Sequence, residues 1–183
     1  MPPVPGDRRR SGRSKHRAAH RQRRTAAEAD RVVAVLYRAH YQSLARIAAL
    51  LVSDVAAAEE IVQSAFVSLH RARPHQGDEA GALAYLRRAV VSGTRSRDTA
   101  PGDSSSRPGG VPHAPWPGHS IPRTLLVAAL QALPAWQREA LVLRYYAQWT
   151  DAQIAAAMGI SGRAVVRQAE RGISTLRACG GLD

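Results

Sequence analysis

Cysteine is nearly absent from this 183-residue chain. Cys179 is its one thiol, which excludes an internal disulfide and any multi-cysteine zinc site. It lies three residues beyond the last periodic apolar position, near a Gly-rich end, and reads as an inert thiol. Aromatic residues are scarce at 5%, and the apolar 45% is carried mostly by Ala, Val and Leu, which favours helices over sheets. No apolar run approaches the roughly 20 residues that a membrane span needs. The basic N-terminus is followed by no apolar segment of the kind a secretory signal requires. A cytoplasmic protein without membrane insertion is expected. A Gly-rich phosphate loop, a metal-ligand cluster and a nucleophile–base set are all missing, so neither an enzyme, a cofactor nor a metal is expected. His113 and His119 have no acid or thiol at ligand spacing.

Acids are also in short supply. Fourteen Asp and Glu face 26 Lys and Arg, a net charge of +12 that points to a polyanionic partner, nucleic acid first. The excess is uneven: residues 1–24 hold nine Arg or Lys against one acid, net +8, which leaves only +4 for residues 25–183.

The most informative stretch is TDAQIAAAMGISGRAVVRQAERGISTL, from Thr150 to Leu176. Thr150 is a helix N-cap, and Gln153 three residues on completes a capping box. Ile154, Ala155 and Met158 give a short helix one apolar face. Gly159 ends it, Ile160 plugs the turn, and Ser161 is a fresh N-cap. Val165, Ala169, Ile173 and Leu176 then recur with helical period. Two short helices joined by a Gly-containing turn form the helix-turn-helix pattern, whose second helix enters a DNA major groove. The outer face of that helix carries Arg163, Val166, Arg167, Glu170 and Arg171, and arginines there suit phosphates or guanine edges. An ordinary helical hairpin with a solvated charged face is the alternative; turn spacing and charge together favour DNA. Gly172, inside the helix, is expected to cost about 1 kcal/mol relative to Ala.

Taken in order, residues 1–24 lack large apolar side chains and are expected to be a disordered basic tail. That tail is either a sequence-blind electrostatic arm or a dispensable extension. A helix is predicted from Thr25 to about Val52, with Val32, Val35, Leu36, Leu44, Ile47 and Leu51 in its apolar stripe and Tyr37, His40 and Tyr41 near its middle. Ser53-Asp54 caps a second helix that Pro74 closes; Val62, Phe66 and Leu69 face inward, and Glu59, Glu60 and Gln63 outward, as an ordinary solvated face. A third helix from Glu79 to Arg97 buries Leu83, Leu86 and Val90 and bears Tyr85, Arg87, Arg88 and Arg95. Basic residues beside an aromatic can hold a nucleic-acid backbone and stack on an unpaired base, or serve only solubility and packing. Residues 99–120 are dense in Pro, Gly and Ser without periodicity, a linker. Beyond it come a helix from about Pro122 to Leu133 and a helix with Pro134 in its first turn. The latter presents Trp136, Ala140, Leu141, Leu143 and Tyr145 or Tyr146 to the helix-turn-helix pair.

The expected fold is all-α: two small helical domains, over 25–98 and 121–178, joined by a flexible linker over 99–120 and followed by a short tail over 179–183. In this order the parts resemble an extracytoplasmic-function sigma factor, a minimal sigma-70-like promoter-recognition subunit of bacterial RNA polymerase. YRAHYQSLARIAALLVSDVAAAEEIVQSAFVSLHR resembles region two of that family, and LPAWQREALVLRYYAQWTDAQIAAAMGIS resembles region four. The resemblance implies that Asp54, Glu59, Glu60 and Gln63 dock on core RNA polymerase. It implies that Tyr85, Arg87, Arg88 and Arg95 recognise and help to melt a −10 element. It implies that Arg163, Val166, Arg167, Glu170 and Arg171 read a −35 element in duplex DNA. It leaves open an anti-sigma factor as a further partner. The chain departs from the family pattern at Ser64, where Asp is usual, at Ser92, where Asn is usual, and at Val166, where Lys is usual. A divergent helix-turn-helix regulator that does not itself direct initiation is therefore the alternative.

Overall fold

A computed structural model describes residues 8–52, 54–72, 78–98 and 123–180. Among the described residues every regular element is helical, with no strand. Helices α1 (Arg8–Val52), α2 (Val55–Ala72) and α3 (Glu79–Asp98) form an N-terminal unit. Helices α4 (Arg123–Ala132), α5 (Ala135–Leu141), α6 (Asp151–Met158) and α7 (Gly162–Gly180) form a C-terminal one.

The N-terminal unit follows its apolar stripes. Leu36, Leu44, Ile47 and Leu51 of α1 meet Val62, Phe66 and Leu69 of α2 and Leu86, Val90 and Val91 of α3, all buried. Tyr37 and Tyr41 stack at 4.6 Å between ring centroids, and Tyr37 meets Phe66 edge-on at 5.2 Å, so that three of the nine aromatics meet between α1 and α2. Gly93 lets α3 approach α2 closely, since a Cβ there would stand 2.7 Å from Ile61. The carboxylate of Asp78 accepts from the Gly81 amide at 2.8 Å and so starts α3. The sequence pattern runs the preceding loop on to Glu79 and does not announce this cap.

One boundary differs from expectation. Helix α1 begins at Arg8, where composition predicts a disordered tail over 1–24. Ala, Arg, Lys and Gln are good helix formers, and extending a helix is far easier than nucleating one. The packed half of α1 nucleates the helix, which then propagates upstream without needing a core of its own. The expected linker over 99–120 lies outside the described residues, as do His113 and His119.

In the C-terminal unit Pro134 is the N-cap of α5, at φ −54° and ψ 141°, one position earlier than the first-turn place expected for it. After Leu141 the helix widens into a π-helical turn over Val142–Tyr146, closed by the Ala147 amide donating to the Val142 carbonyl at 3.0 Å. A π turn takes in one residue more than the 3.6-residue period allows, so the faces beyond it rotate. Tyr145 and Tyr146 consequently point outward, 59% and 53% exposed, against the expectation that one of them packs inward. Trp149 takes the inner place instead. Gln148 makes this possible with a left-handed φ of 54°.

The two units pack on each other. The Gln131 side-chain amide donates to the carbonyls of Leu50 (2.9 Å) and Leu51 (3.4 Å), two of the orphan acceptors at the C-terminal end of α1. Helix α3 lies against α5 and α6.

Candidate nucleic-acid interface

The helix-turn-helix is assembled by its caps. The Thr150 hydroxyl accepts from the Gln153 amide at 3.3 Å, and the Gln153 side chain accepts from the Thr150 amide at 3.0 Å. Gly159 adopts φ 69°, the left-handed C-cap that a side chain resists. The Ser161 hydroxyl accepts from the Ala164 amide at 3.3 Å and starts α7. Val165, Ala169 and Gly172 of α7 are buried, with Ile173 and Leu176 half-buried behind them. That orientation leaves Arg163, Arg167, Glu170 and Arg171 exposed and Val166 half-buried at the edge of the same face. All five residues expected to read duplex DNA share one helix, and the turn spacing presents four of them to solvent. The arrangement can set a guanidinium fork against phosphates or guanine edges.

The four residues expected on α3 divide into two pairs. Tyr85 and Arg88 are exposed and lie three positions apart, on one stripe with Ser92. Arg87 and Arg95 turn to the C-terminal unit instead. The Arg87 guanidinium lies 4.7 Å from the ring centre of Trp149, and its partial burial pulls it below the usual arginine range. Arg95 is held by α5 and by the end of α6. Its Nε donates to both carboxylate oxygens of Glu139 (2.7 and 2.9 Å), its Nη2 donates to the same carboxylate, and its Nη1 donates to the Met158 carbonyl at 3.1 Å. The guanidinium also stacks 3.9 Å over the Trp136 ring. The sequence pattern assigns Trp136 to the helix-turn-helix contact and gives Glu139 and Trp149 no role. Arg95 and Glu139 are 44 positions apart on different units, so no local pattern announces their pairing.

On α2, Asp54 is the N-cap: its carboxylate accepts from the amides of Ala56 (2.9 Å) and Ala57 (3.4 Å). Glu59, Glu60 and Gln63 are exposed one to two turns on. Glu60 also pairs with Arg97 of α3 at 3.3 Å, an exposed pair of small energetic weight. Ser64 lines a shallow groove between α2 and α3 with Ile61, Gly93 and Ser96. Among the described residues no group of three or more His, Cys, Asp or Glu is placed to hold a metal ion. Nor is any helix among them long and apolar enough to cross a membrane.

No curated protein matches the chain. Two family models do: residues 36–97 match Sigma-70 region 2, and residues 123–176 match Sigma-70, region 4. The first match spans the end of α1 with α2 and α3, and the second spans α4 to α7. Together they take in more than half of the 183 residues and contain both the acidic face of α2 and the basic face of α7. With its two helical domains corresponding to regions 2 and 4 in that order, the chain belongs to the sigma-70 family.

Proposed function

We propose that this protein is a sigma factor of the extracytoplasmic-function type. It binds core RNA polymerase through the exposed face of α2 and directs initiation by recognising −10 and −35 promoter elements. The observation that carries this reading is the division of labour along one chain. A helix-turn-helix with an exposed basic face follows a separate helical unit whose second helix exposes Glu59, Glu60 and Gln63. A plain DNA-binding regulator has no need of that second surface. In this assignment Tyr85 and Arg88 contact the −10 region first, and Arg163, Arg167, Glu170 and Arg171 contact the −35 duplex. The protein works where the polymerase works, in the cytoplasm, and catalyses no reaction of its own.

The engagement of Arg87 and Arg95 by the C-terminal unit favours a second reading, a sigma-like regulator that binds DNA without directing initiation. One experiment separates the two. Core RNA polymerase is mixed with the wild-type chain and with the Glu59→Arg/Glu60→Arg variant, and complex formation and transcription from a cognate promoter are measured. The sigma-factor reading expects a transcribing complex with wild type and weakened assembly with the variant, at unchanged helical content. Absence of any complex with wild type leaves the regulator reading.

A further inference from the structure

Helix α1 is longer than the core it serves: it starts at Arg8, and the first buried residue described on it is Ala29. Opposite its buried face, Glu28, Arg31, Val35, Arg38, Gln42 and Arg46 are exposed and follow one another at three- and four-residue spacing, so they form one ridge. Among the described residues, no acid pairs with Arg31, Arg38 or Arg46. Carried upstream through the same helix, the register runs through positions 24, 21, 17, 13 and 10, and each of these is Arg. Eight of the eleven ridge positions are thus arginine and one, Glu28, is an acid, over about 54 Å at 1.5 Å per residue. A face that only keeps a helix in water mixes the two signs, because opposite charges three or four positions apart support the helix and like charges oppose it. From position 10 to 24 the α1 ridge sets like charges at that spacing, a repulsion that is relieved when a polyanion lies along it.

The chemistry of the ridge selects among polyanions. A membrane-surface helix needs large apolar side chains across from its cations, and residues 8–24 contain none. Single strands are held by bases stacked on aromatic rings. The ridge carries no aromatic, and Tyr37 and Tyr41 of the same helix meet Phe66 instead. A duplex offers about one phosphate charge per 1.7 Å of its axis and asks for neither feature. We propose that the outward face of α1 is a sequence-blind binding surface for duplex DNA, separate from the faces of α3 and α7 and independent of polymerase docking. It holds the chain on DNA while α7 reads sequence.

The test uses the full-length chain and three ligands: a non-cognate DNA duplex longer than the ridge, one of its single strands, and phosphatidylglycerol vesicles. Arg13→Gln/Arg21→Gln and Lys15→Gln/Arg23→Gln remove the same charge from the same segment at the same spacing. The second pair is shifted by two positions, about 200° round the helix and off the ridge. Gln keeps the helix propensity of the residues it replaces. For the ridge pair, the logarithmic salt dependence of duplex binding should flatten by up to about 1.8, two contacts at about 0.9 each. The shifted pair should stay near wild type. On the packed half of the helix, Arg31→Gln/Arg38→Gln/Arg46→Gln should flatten the slope as well, at unchanged circular dichroism. Equal losses for the two upstream pairs overturn the proposal, since the segment would then act as an undirected cloud of charge. So does an unchanged slope for the Arg31, Arg38 and Arg46 variant, or a wild-type chain that binds no duplex at low salt. A ridge-pair loss as large for the single strand or the vesicles as for the duplex overturns the choice of duplex DNA. None of these outcomes depends on whether the chain assembles with polymerase.

Discussion

Gly172 and Leu141 touch so closely that no β-carbon fits between them: one built on Gly172 would lie 2.7 Å from Leu141 Cδ1 and 3.4 Å from Gln137 Cβ. Propensity alone marks this glycine as a weakness of about 1 kcal/mol in the recognition helix. Packing reverses that expectation, because the glycine is what allows α7 to lie against α5. Leu141 is itself buried and has little room to yield. Gly172→Ala is therefore expected to destabilise the protein, overpacking of roughly 1–3 kcal/mol outweighing the helical gain. In a Leu141→Val background the same substitution should become neutral or stabilising. Urea denaturation of the four chains decides it; a more stable single Gly172→Ala variant would refute the packing argument.

Gly159 is required for the opposite reason. Nothing lies within 4 Å of a β-carbon built there, but its φ of 69° is left-handed. Gly159→Ala should cost about 1 kcal/mol through the backbone alone, and Gly159→Asn should cost less, since Asn tolerates this conformation. The two variants are compared by thermal unfolding. Equal losses for Ala and Asn would mean that space, not backbone conformation, limits the turn.

These two glycines mark where sequence reasoning succeeds and where it stops. The capping box at Thr150, the C-cap at Gly159 and the cap at Asp54 are local, fixed by residues within four positions of each other, and all are legible. The exposed face of α7 follows from the same period. The register beyond Leu141 is not legible, since counting at 3.6 residues per turn fails across a π turn, and Tyr145 and Tyr146 exchange places with Trp149 as a result. Neither Gly172 against Leu141 nor Arg95 against Glu139 leaves a local trace. Both depend on how two elements distant in sequence are brought together.

The basic segment is the next case. Removing residues 1–24 takes away nine Arg and Lys side chains and, with them, the first part of helix α1. The core side chains from Ala29 onward stay, so folding and promoter choice should survive while the helical signal falls. Binding to non-cognate duplex should weaken, and its logarithmic salt dependence should flatten by up to about 0.9 for each phosphate that is no longer neutralised. Titrations of full-length and truncated chains at several salt concentrations test this. A truncated chain that unfolds, or that changes promoter preference, would show the segment to be structural or specific.

Arg167 carries the sharpest expectation. It lies one turn beyond Arg163 on the exposed face of α7, with Val166 beside it at the half-buried edge. A guanidinium that forks onto guanine contributes to discrimination at one base pair, whereas one that meets a phosphate strengthens every sequence alike. If Arg167 reads a base, Arg167→Ala loses roughly 1–3 kcal/mol on the cognate site and relaxes the preference at a single position. Val166 supplies the control. Half-burial at the edge of the face leaves a lysine placed there able to lay its stem along α7 and reach solvent with its ammonium group. Val166→Lys should therefore raise affinity for all duplexes and steepen the salt dependence without changing which bases are preferred. The measurement is binding to a panel of single-base variants of a −35-type duplex at fixed salt. A uniform loss across the panel for Arg167→Ala would assign that side chain to the phosphates. Selectivity would then fall to Arg163, Glu170 and Arg171.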